Sequence, residues 1–312
     1  MRRRRLGSQG PELSVIGFGA MEVGETEGWD DRPSDDVLVD VIRSALDAGI
    51  NWIDTAEVYG DGNSERLVGE ALAGRRDAAL IATKVAPDDG GSGFRPEQVR
   101  TACEASLRRL RTDHIDLYQL HWWPEEVDDW PIEETWGAMV DLVDAGMVRF
   151  IGVSNFDRGQ IERCMAVRHV DSLQPQLSMA QPRFADLIRW CGEQGIGVVP
   201  YQALAGGLFG PHLPSEEELR ATLGERAWAR RGPAVLDLLR AIHPMAERAA
   251  MSVPQLALAW TLEHPGVTAP IVGSTNPEHI REAAEAGDVG LDDADMTELN
   301  ALVERVRDAV GV

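Results

Sequence analysis

Three times along this chain a helix-like run reaches a glycine and passes at once into a short apolar run. Ala45-Leu46-Asp47-Ala48-Gly49 leads into Ile50-Asn51-Trp52-Ile53-Asp54. Leu142-Val143-Asp144-Ala145-Gly146 leads into Met147-Val148-Arg149-Phe150-Ile151-Gly152, and Cys191-Gly192-Glu193-Gln194-Gly195 into Ile196-Gly197-Val198-Val199-Pro200. Each reads as a helix stopped by glycine just past its C-terminus, then a strand. Strands of about five residues with near-continuous apolar character suit a parallel sheet buried on both faces.

The pattern extends to eight units. Candidate strands lie near 15–20, 50–54, 79–84, 115–120, 148–153, 171–175, 196–200 and 267–272. Helical patterns lie near 34–48, 64–73, 96–110, 131–145, 157–168, 184–194, 233–264 and 277–286. Eight strand–helix units in 312 residues predict a (β/α)8 TIM barrel, with a doubly wound open sheet as the competing architecture. Residues 1–14 read as an N-terminal hairpin turning at Gly10-Pro11 and closing the barrel bottom, and 293–308 as an extra C-terminal helix. The stretch 204–232 reads as a long loop, a lid or ligand clamp. No linker or low-complexity tract divides the chain, so residues 1–312 are expected to form one barrel domain.

Composition limits the partners. With 52 acidic against 30 basic side chains the formal charge is -22, which repels nucleic acid and anionic membrane surfaces. Arg2-Arg3-Arg4-Arg5 is not followed by an apolar segment, so it reads as a solvated edge rather than a targeting signal. Cys103, Cys164 and Cys191 are odd in number and widely spaced, which fits reduced thiols in the cytoplasm. No His-Glu-x-x-His or Cys-x-x-Cys spacing occurs, so no metal is expected. Gly17-Phe18-Gly19 lacks the third glycine of a dinucleotide fingerprint.

Polar residues end three of the apolar runs. Asp54 follows Ile53, Lys84 follows Thr83, and His121 follows Leu120; Tyr59 lies in the turn after Asp54. Singly, each has a bland reading: a turn cap, a wall residue, a solvated lysine, a bonded core histidine. In a barrel of parallel strands, however, the strand C-termini converge on one mouth, where chemistry is done. A phenol is a weak acid with an ordinary pKa of about 10, and a nearby ammonium lowers that value. Lys84 is expected to act on Tyr59 in this way, Asp54 to hold Lys84, and His121 to orient a carbonyl oxygen. The set suits protonation of a developing alkoxide while a hydride arrives at carbon.

Asn51 through Gly60, with Asn63-Ser64-Glu65 and Val68-Gly69, resembles the signature of the aldo-keto reductases. Thr83-Lys84-Val85, Asp116 through His121, and Gly152-Val153-Ser154-Asn155-Phe156 match in the family's order, and the resemblance covers nearly the whole chain. It implies a (β/α)8 barrel, bound NADP(H), and reduction of aldehydes or ketones to alcohols. It makes Tyr59 the general acid, tuned and oriented by Asp54, Lys84 and His121. The alternative is a non-catalytic or slow NADP(H)-binding redox sensor.

The same resemblance places Ser154, Asn155, Gln174 and Asp54 around the nicotinamide and Tyr201 against its ring. It places Gly19, Ala20, Met21, Gln202, Leu204, Gly206 and Gly207 along the cofactor, and Gly273, Ser274, Thr275, Asn276 and His279 at the adenosine phosphate. That last segment starts a helix with proline at its first position, a setting that leaves N–H groups for an anion. Positions 273–280 contain no arginine or lysine and do contain Glu278, so NAD(H) stays open beside NADP(H). Leu177 stands where the family often has tyrosine, and Gln202-Ala203 where it has Ser-Pro. Met21, Trp29, Tyr59, His121, Trp122 and Trp123 are candidate substrate walls, favouring bulky or aromatic carbonyls; Trp130 and Trp136 read as packing. A monomer is expected.

Overall fold

The structure, a computed structural model, describes residues 1–25, 32–87, 93–123 and 131–311. An antiparallel hairpin of β1 (Arg3–Arg5) and β2 (Glu12–Ser14) precedes a parallel sheet. The sheet strands are β3 (Gly17–Gly19), β4 (Trp52–Asp54), β5 (Leu80–Val85), β6 (Ile115–Leu120), β7 (Val148–Ser154), β8 (Ser172–Gln174), β9 (Gly197–Val198) and β10 (Ile271–Gly273). Their order is β10-β3-β4-β5-β6-β7-β8-β9. The ring is closed by a parallel bridge from Val198 to Val267 and by bonds from Thr268 N to Val198 O and Ile271 N to Pro200 O, at 2.8 and 2.9 Å. The eight-strand barrel expected from the sequence is what forms.

The repeated junction has one physical basis. Gly49, Gly146 and Gly195 take φ of 91°, 74° and 73°, a region that costs an L side chain. In each case the glycine N–H bonds the carbonyl three back. The next N–H, of Ile50, Met147 or Ile196, bonds Ala45, Leu142 or Cys191. That pair of bonds satisfies the last helical carbonyls and aims the chain back at the sheet.

The helices run α1 (Met21–Gly24), α2 (Asp35–Asp47), α3 (Asn63–Ala71), α4 (Pro96–Leu110), α5 (Ile132–Asp144), α6 (Arg158–Met165), α7 (Ala185–Glu193), α8 (Glu216–Leu223), α9 (Glu225–Arg248), α10 (Val253–Glu263), α11 (Pro277–Ala286) and α12 (Asp293–Val310). Two expectations fail here. The span 204–232 is largely helical: Ser215 caps α8 reciprocally with Glu218, and α9 begins at Glu225, directly after Gly224. The span 233–264 is two helices, because Ala250 turns left-handed at φ 52° and Ser252 opens α10 with a capping box to Gln255. Charge density made the first segment look like loop, and continuous apolar periodicity hid the break in the second.

Side-chain alternation sorts the barrel interior. Leu6 and Leu13 of the hairpin region pack with Trp52, Ala82, Leu117, Val199, Ala269 and Ile271 in one apolar cluster that plugs the bottom. Two residues further along the same faces come Asp54, Lys84 and Gln119, as a period of two requires. The other faces pack on the helices: Ile53, Ile81, Tyr118 and Ile151 join Val41, Ile42, Val99 and Met139 in the larger core. Burying each such aliphatic side chain contributes roughly 1.5–3 kcal/mol.

Gly17 shows how tight the plug is. A Cβ there would lie 2.1 Å from the ring of Trp52, which is buried and donates its Nε1 to Ser14 O at 3.0 Å. Gly17→Ala is therefore expected to destabilise the fold by about 1–3 kcal/mol through overpacking. A urea midpoint unchanged from wild type would show that Trp52 yields freely.

Candidate active site

Asp54 closes β4, Lys84 is the penultimate residue of β5, and His121 directly follows β6, its N–H bonding Val85 O at 2.9 Å. Tyr59 sits in a turn between β4 and α3, its N–H on Ala56 O at 3.2 Å. Lys84 Nζ donates to Asp54 Oδ1 at 2.6 Å, Thr55 O at 2.8 Å and Tyr59 Oη at 3.3 Å. All three ammonium protons thus have acceptors. The His121 ring meets the Tyr59 ring edge-on, with centroids 5.6 Å apart. The four residues singled out in the sequence therefore converge.

Burial sets the charges. Asp54 and Lys84 have almost no solvent contact. Burial raises the Asp54 carboxyl above its ordinary value, against the pull of Lys84 and Gln174. Burial opposes the Lys84 charge, but Asp54 and Tyr59 outweigh it and hold the ammonium above the ordinary range. For Tyr59 the outcome differs from the expected lowering. Desolvation raises the phenol; Lys84 pulls it down, while the carboxylates of Asp54 and Glu22 push it further up. Tyr59 is therefore held as a neutral phenol, the form that can donate a proton. His121 is pushed down to about 2, first by desolvation and then by the Lys84 charge. Its Nδ1 is buried without a partner among the described residues. Nε2 is then the ring nitrogen that can serve the mouth.

On the neighbouring strands, Gln174 Nε2 donates to Asp54 Oδ2 at 2.7 Å, and Ser154 Oγ donates to Gln174 O at 2.9 Å. Asn155, at φ 60°, donates to His121 O at 3.3 Å and to Ser154 Oγ at 3.1 Å. Tyr201 Oη donates to Asn155 Oδ1 at 2.9 Å, which anchors its ring beside this cluster. Gln202 is left-handed at φ 57° and accepts a bond from Gln176. A 3-10 turn over Ala205–Gly207 follows Leu204, and the Cβ positions of Gly206 and Gly207 face open space. Gly19 pairs with both Asp54 and Gly273, which brings the Gly19-Ala20-Met21 segment beside the last strand.

At Gly273–His279, Ser274 Oγ accepts from Asn276 N at 3.1 Å and lies 3.3 Å from His279 Nδ1. Asn276 caps α11 through Glu278 N at 2.9 Å, with Pro277 at its first turn, and Thr275 is half-buried between them. Arg281, the nearest cation in the segment, lies 3.9 Å from Glu278. Met21 and Trp122 are exposed large apolar side chains, and Trp122 packs on His121 at 4.6 Å between ring centroids. Trp123 instead packs on Phe156 and Arg163. Trp136 is core, as expected, while Trp29 and Trp130 lie outside the described residues.

Three acidic residues near the site went unnoticed in the sequence. Glu65, fully buried, accepts from Thr83 Oγ1 at 2.5 Å and Arg109 Nε at 2.6 Å, locking α3 and α4 to the strand that carries Lys84. Glu57 accepts from Ala86 N at 2.9 Å. Glu22 lies on α1, within electrostatic reach of Tyr59. Glu57 and Glu65 stood inside the matched signature, but strand-end patterning gave no reason to single them out. An open cavity of about 920 Å³ at the opposite end is lined by Arg76, Arg108, Arg111, His114 and Arg149. Arg76 and Arg149 are bound there to the buried Asp116, which gives them a structural role.

The fold is a parallel barrel with a buried Asp–Lys pair and a phenol grouped at its mouth, the end where such barrels place their sites. A profile of the aldo/keto reductase family matches residues 15–304. A probable aldo-keto reductase of Glycine max is 34% identical over 308 residues, 95% of this chain and 87% of that protein. An NADH-specific methylglyoxal reductase of Escherichia coli is 31% identical over 322 residues, covering 97% and 99%. The crystal structure of an aldo/keto reductase from Klebsiella pneumoniae, in complex with NADP and acetate, superposes with TM-score 0.74 at 31% identity, covering 96% and 95%. The chain belongs to the aldo/keto reductase family, and that membership supports oxidoreductase activity. Among the described residues no helix is long and apolar enough to cross a membrane, and no group of three or more His, Cys, Asp or Glu side chains is arranged to hold a metal.

The depressed His121 has a consequence for stability. Between about 2 and the ordinary 6.5, the unfolded chain binds a proton that the folded chain refuses. The stability that depends on neutral imidazole is present above about pH 6.5 and is lost below it, at up to ~1.4 kcal/mol per pH unit. Urea unfolding at two pH values either side of 6.5 checks this: His121→Phe is expected to lose about 1 kcal/mol less on acidification than wild type. Equal losses would show that the folded state protonates His121 freely.

Proposed function

We propose that this protein reduces aldehydes or ketones to alcohols with a nicotinamide cofactor, and that Tyr59 is the proton donor. The observation that carries the reading is the position of Tyr59 Oη, 3.3 Å from an ammonium that Asp54 holds at 2.6 Å. NADP(H), with NAD(H) as the alternative, would supply the hydride. The residues fit such a group: Tyr201 offers a tethered flat ring, Ser154, Asn155 and Gln174 gather amide and hydroxyl groups beside it, and Gly206 and Gly207 leave their side-chain space empty. A relative that is NADH-specific and another solved with NADP bound support both cofactors as candidates.

In this reading the neutral phenol of Tyr59 points its proton at the substrate oxygen. The Lys84 ammonium stabilises the phenolate left behind, and Asp54 keeps that ammonium charged in a dry setting. Neutral His121 orients the carbonyl through Nε2 without supplying a competing charge. Met21 and Trp122 form an apolar rim suited to bulky or aromatic carbonyls. Buried Cys103, Cys164 and Cys191, each pushed up to about 12 by desolvation, take no part and fit a reducing cytoplasm. We further read the chain as a one-domain monomer whose partner is a small carbonyl compound.

The test is oxidation of NADPH and NADH with an aromatic aldehyde and with methylglyoxal, on wild type and Tyr59→Phe. Turnover is expected in wild type and a fall of about 10²- to 10⁴-fold in the variant, with cofactor affinity nearly unchanged. Comparable turnover in Tyr59→Phe would remove that role. Tight cofactor binding without turnover in wild type would favour the redox sensor.

A further inference from the structure

Among the described residues, Glu22 is a carboxylate near Tyr59 to which neither the fold nor the proposed proton-donor set gives a task. It directly follows the Gly19-Ala20-Met21 segment, on the short helix α1, and its side chain crosses to the last strand. A Cβ placed on Gly273 would lie 2.0 Å from Glu22 Oε2 and 2.9 Å from Oε1. Both carboxylate oxygens therefore lie against Gly273, within the space a side chain there would fill. The two segments that Glu22 bridges lie on paired strands, and both are among those that the family resemblance places along the dinucleotide.

The surroundings leave its charge unanswered. The only hydrogen bond it accepts among the described residues is from its own backbone N–H. Just past the end of α1 lies Glu25, a like charge. Arg32 packs behind α1, but its guanidinium is spent on Glu25 O, Val23 O and the carboxylate of Asp35. From α3 come Glu65, bound to Thr83 and Arg109, and Asn63, whose amide donates to Gly24 O. From the turn after β4 comes Tyr59, a neutral phenol. From the segment after β10 comes His279, beside Ser274, with Glu278 and Arg281 beyond it. Desolvation, with Glu25 adding to it, raises the Glu22 carboxyl above its ordinary value. Among the described residues no cation pairs with the Glu22 carboxylate, so a second anion brought to Gly273 would meet an unpaired like charge.

We propose that Glu22 is a cofactor-site residue that takes up a proton when the phosphates of a nicotinamide dinucleotide dock against Gly273, so that binding is proton-linked. This rests on reading the mouth as a dinucleotide site. The protonated carboxyl removes a like charge and presents an O–H that can donate to a phosphate oxygen, where the carboxylate could only repel. The bound anion raises the Glu22 pKa further, and binding takes up a proton between the free and bound values. Affinity therefore falls as pH rises through that window, by at most about tenfold per pH unit for one proton.

The experiment measures binding of NADH and NADPH by calorimetry from about pH 5 to about 9, in two buffers of different ionisation enthalpy, with wild type, Glu22→Gln and His279→Asn. NADH has no 2′-phosphate to titrate, so its slope belongs to the protein. Wild type is expected to take up as much as one proton per dinucleotide, seen as a buffer-dependent heat and a falling affinity. Glu22→Gln is expected to lose both and to bind more tightly at high pH, while His279→Asn keeps them. The wild-type heats alone test the uptake should a variant fail to fold. Binding of NADH without proton uptake overturns the proposal and leaves the dinucleotide site standing. Uptake that survives in Glu22→Gln and disappears in His279→Asn assigns the proton to the imidazole and also overturns it. No binding of either dinucleotide at any pH would overturn the reading of the mouth itself.

Discussion

An ammonium with no solvent contact must be compensated from every side, and in this barrel that requirement falls on Lys84. Its acceptors come from the end of β4, from the backbone beside it and from the turn carrying Tyr59. Asp54 is in turn held from across the barrel by Gln174 of β8. Removing one member of a buried pair typically costs about 3–5 kcal/mol, because the other is left charged in a dry place. The barrel interior is thus cross-braced at its mouth by ionic and hydrogen-bonded contacts and at its base by the apolar plug around Trp52. The arrangement that would do chemistry and the arrangement that holds the top of the barrel are the same set of contacts.

That burial also decides which groups carry charge. In water, a lysine next to a tyrosine would lower the phenol. Here desolvation and two carboxylates outweigh Lys84, and the phenol keeps its proton. His121 is neutral for the same reason, with the neighbouring ammonium adding to the desolvation. The result is one cation, its paired carboxylate, and two neutral proton-bearing rings around one point. Such a set can give up a proton toward developing negative charge without first rearranging its own charges.

Much of this was legible in the residues. The three glycine-stopped junctions predicted parallel β/α units because only a few local conformations end a helix and turn the chain back, and Gly49, Gly146 and Gly195 adopt one of them. Strand-end positions predicted that Asp54, Lys84 and His121 would meet, since all strands of a parallel barrel present their C-termini to one mouth. Reading failed where local signals competed. Ser215 and Glu218 form a capping box, but the acidic run around them looked like loop. Ala250 breaks the span 233–264 without any glycine or proline at that position. Neither Glu22 nor Glu65 stood out, because their partners are brought in by the fold: Gly273 is 251 positions away from Glu22, and Arg109 is 44 from Glu65.

By itself, then, the sequence determined the architecture and that Asp54, Tyr59, Lys84 and His121 would meet at one mouth, because periodicity, glycine stops and strand ends are local properties that a parallel barrel converts into position. The tertiary structure alone decided the protonation states, which of Trp122 and Trp123 stays exposed, and where Glu22 points. Those depend on desolvation and on contacts between residues far apart in the chain, and neither quantity exists until the barrel has closed.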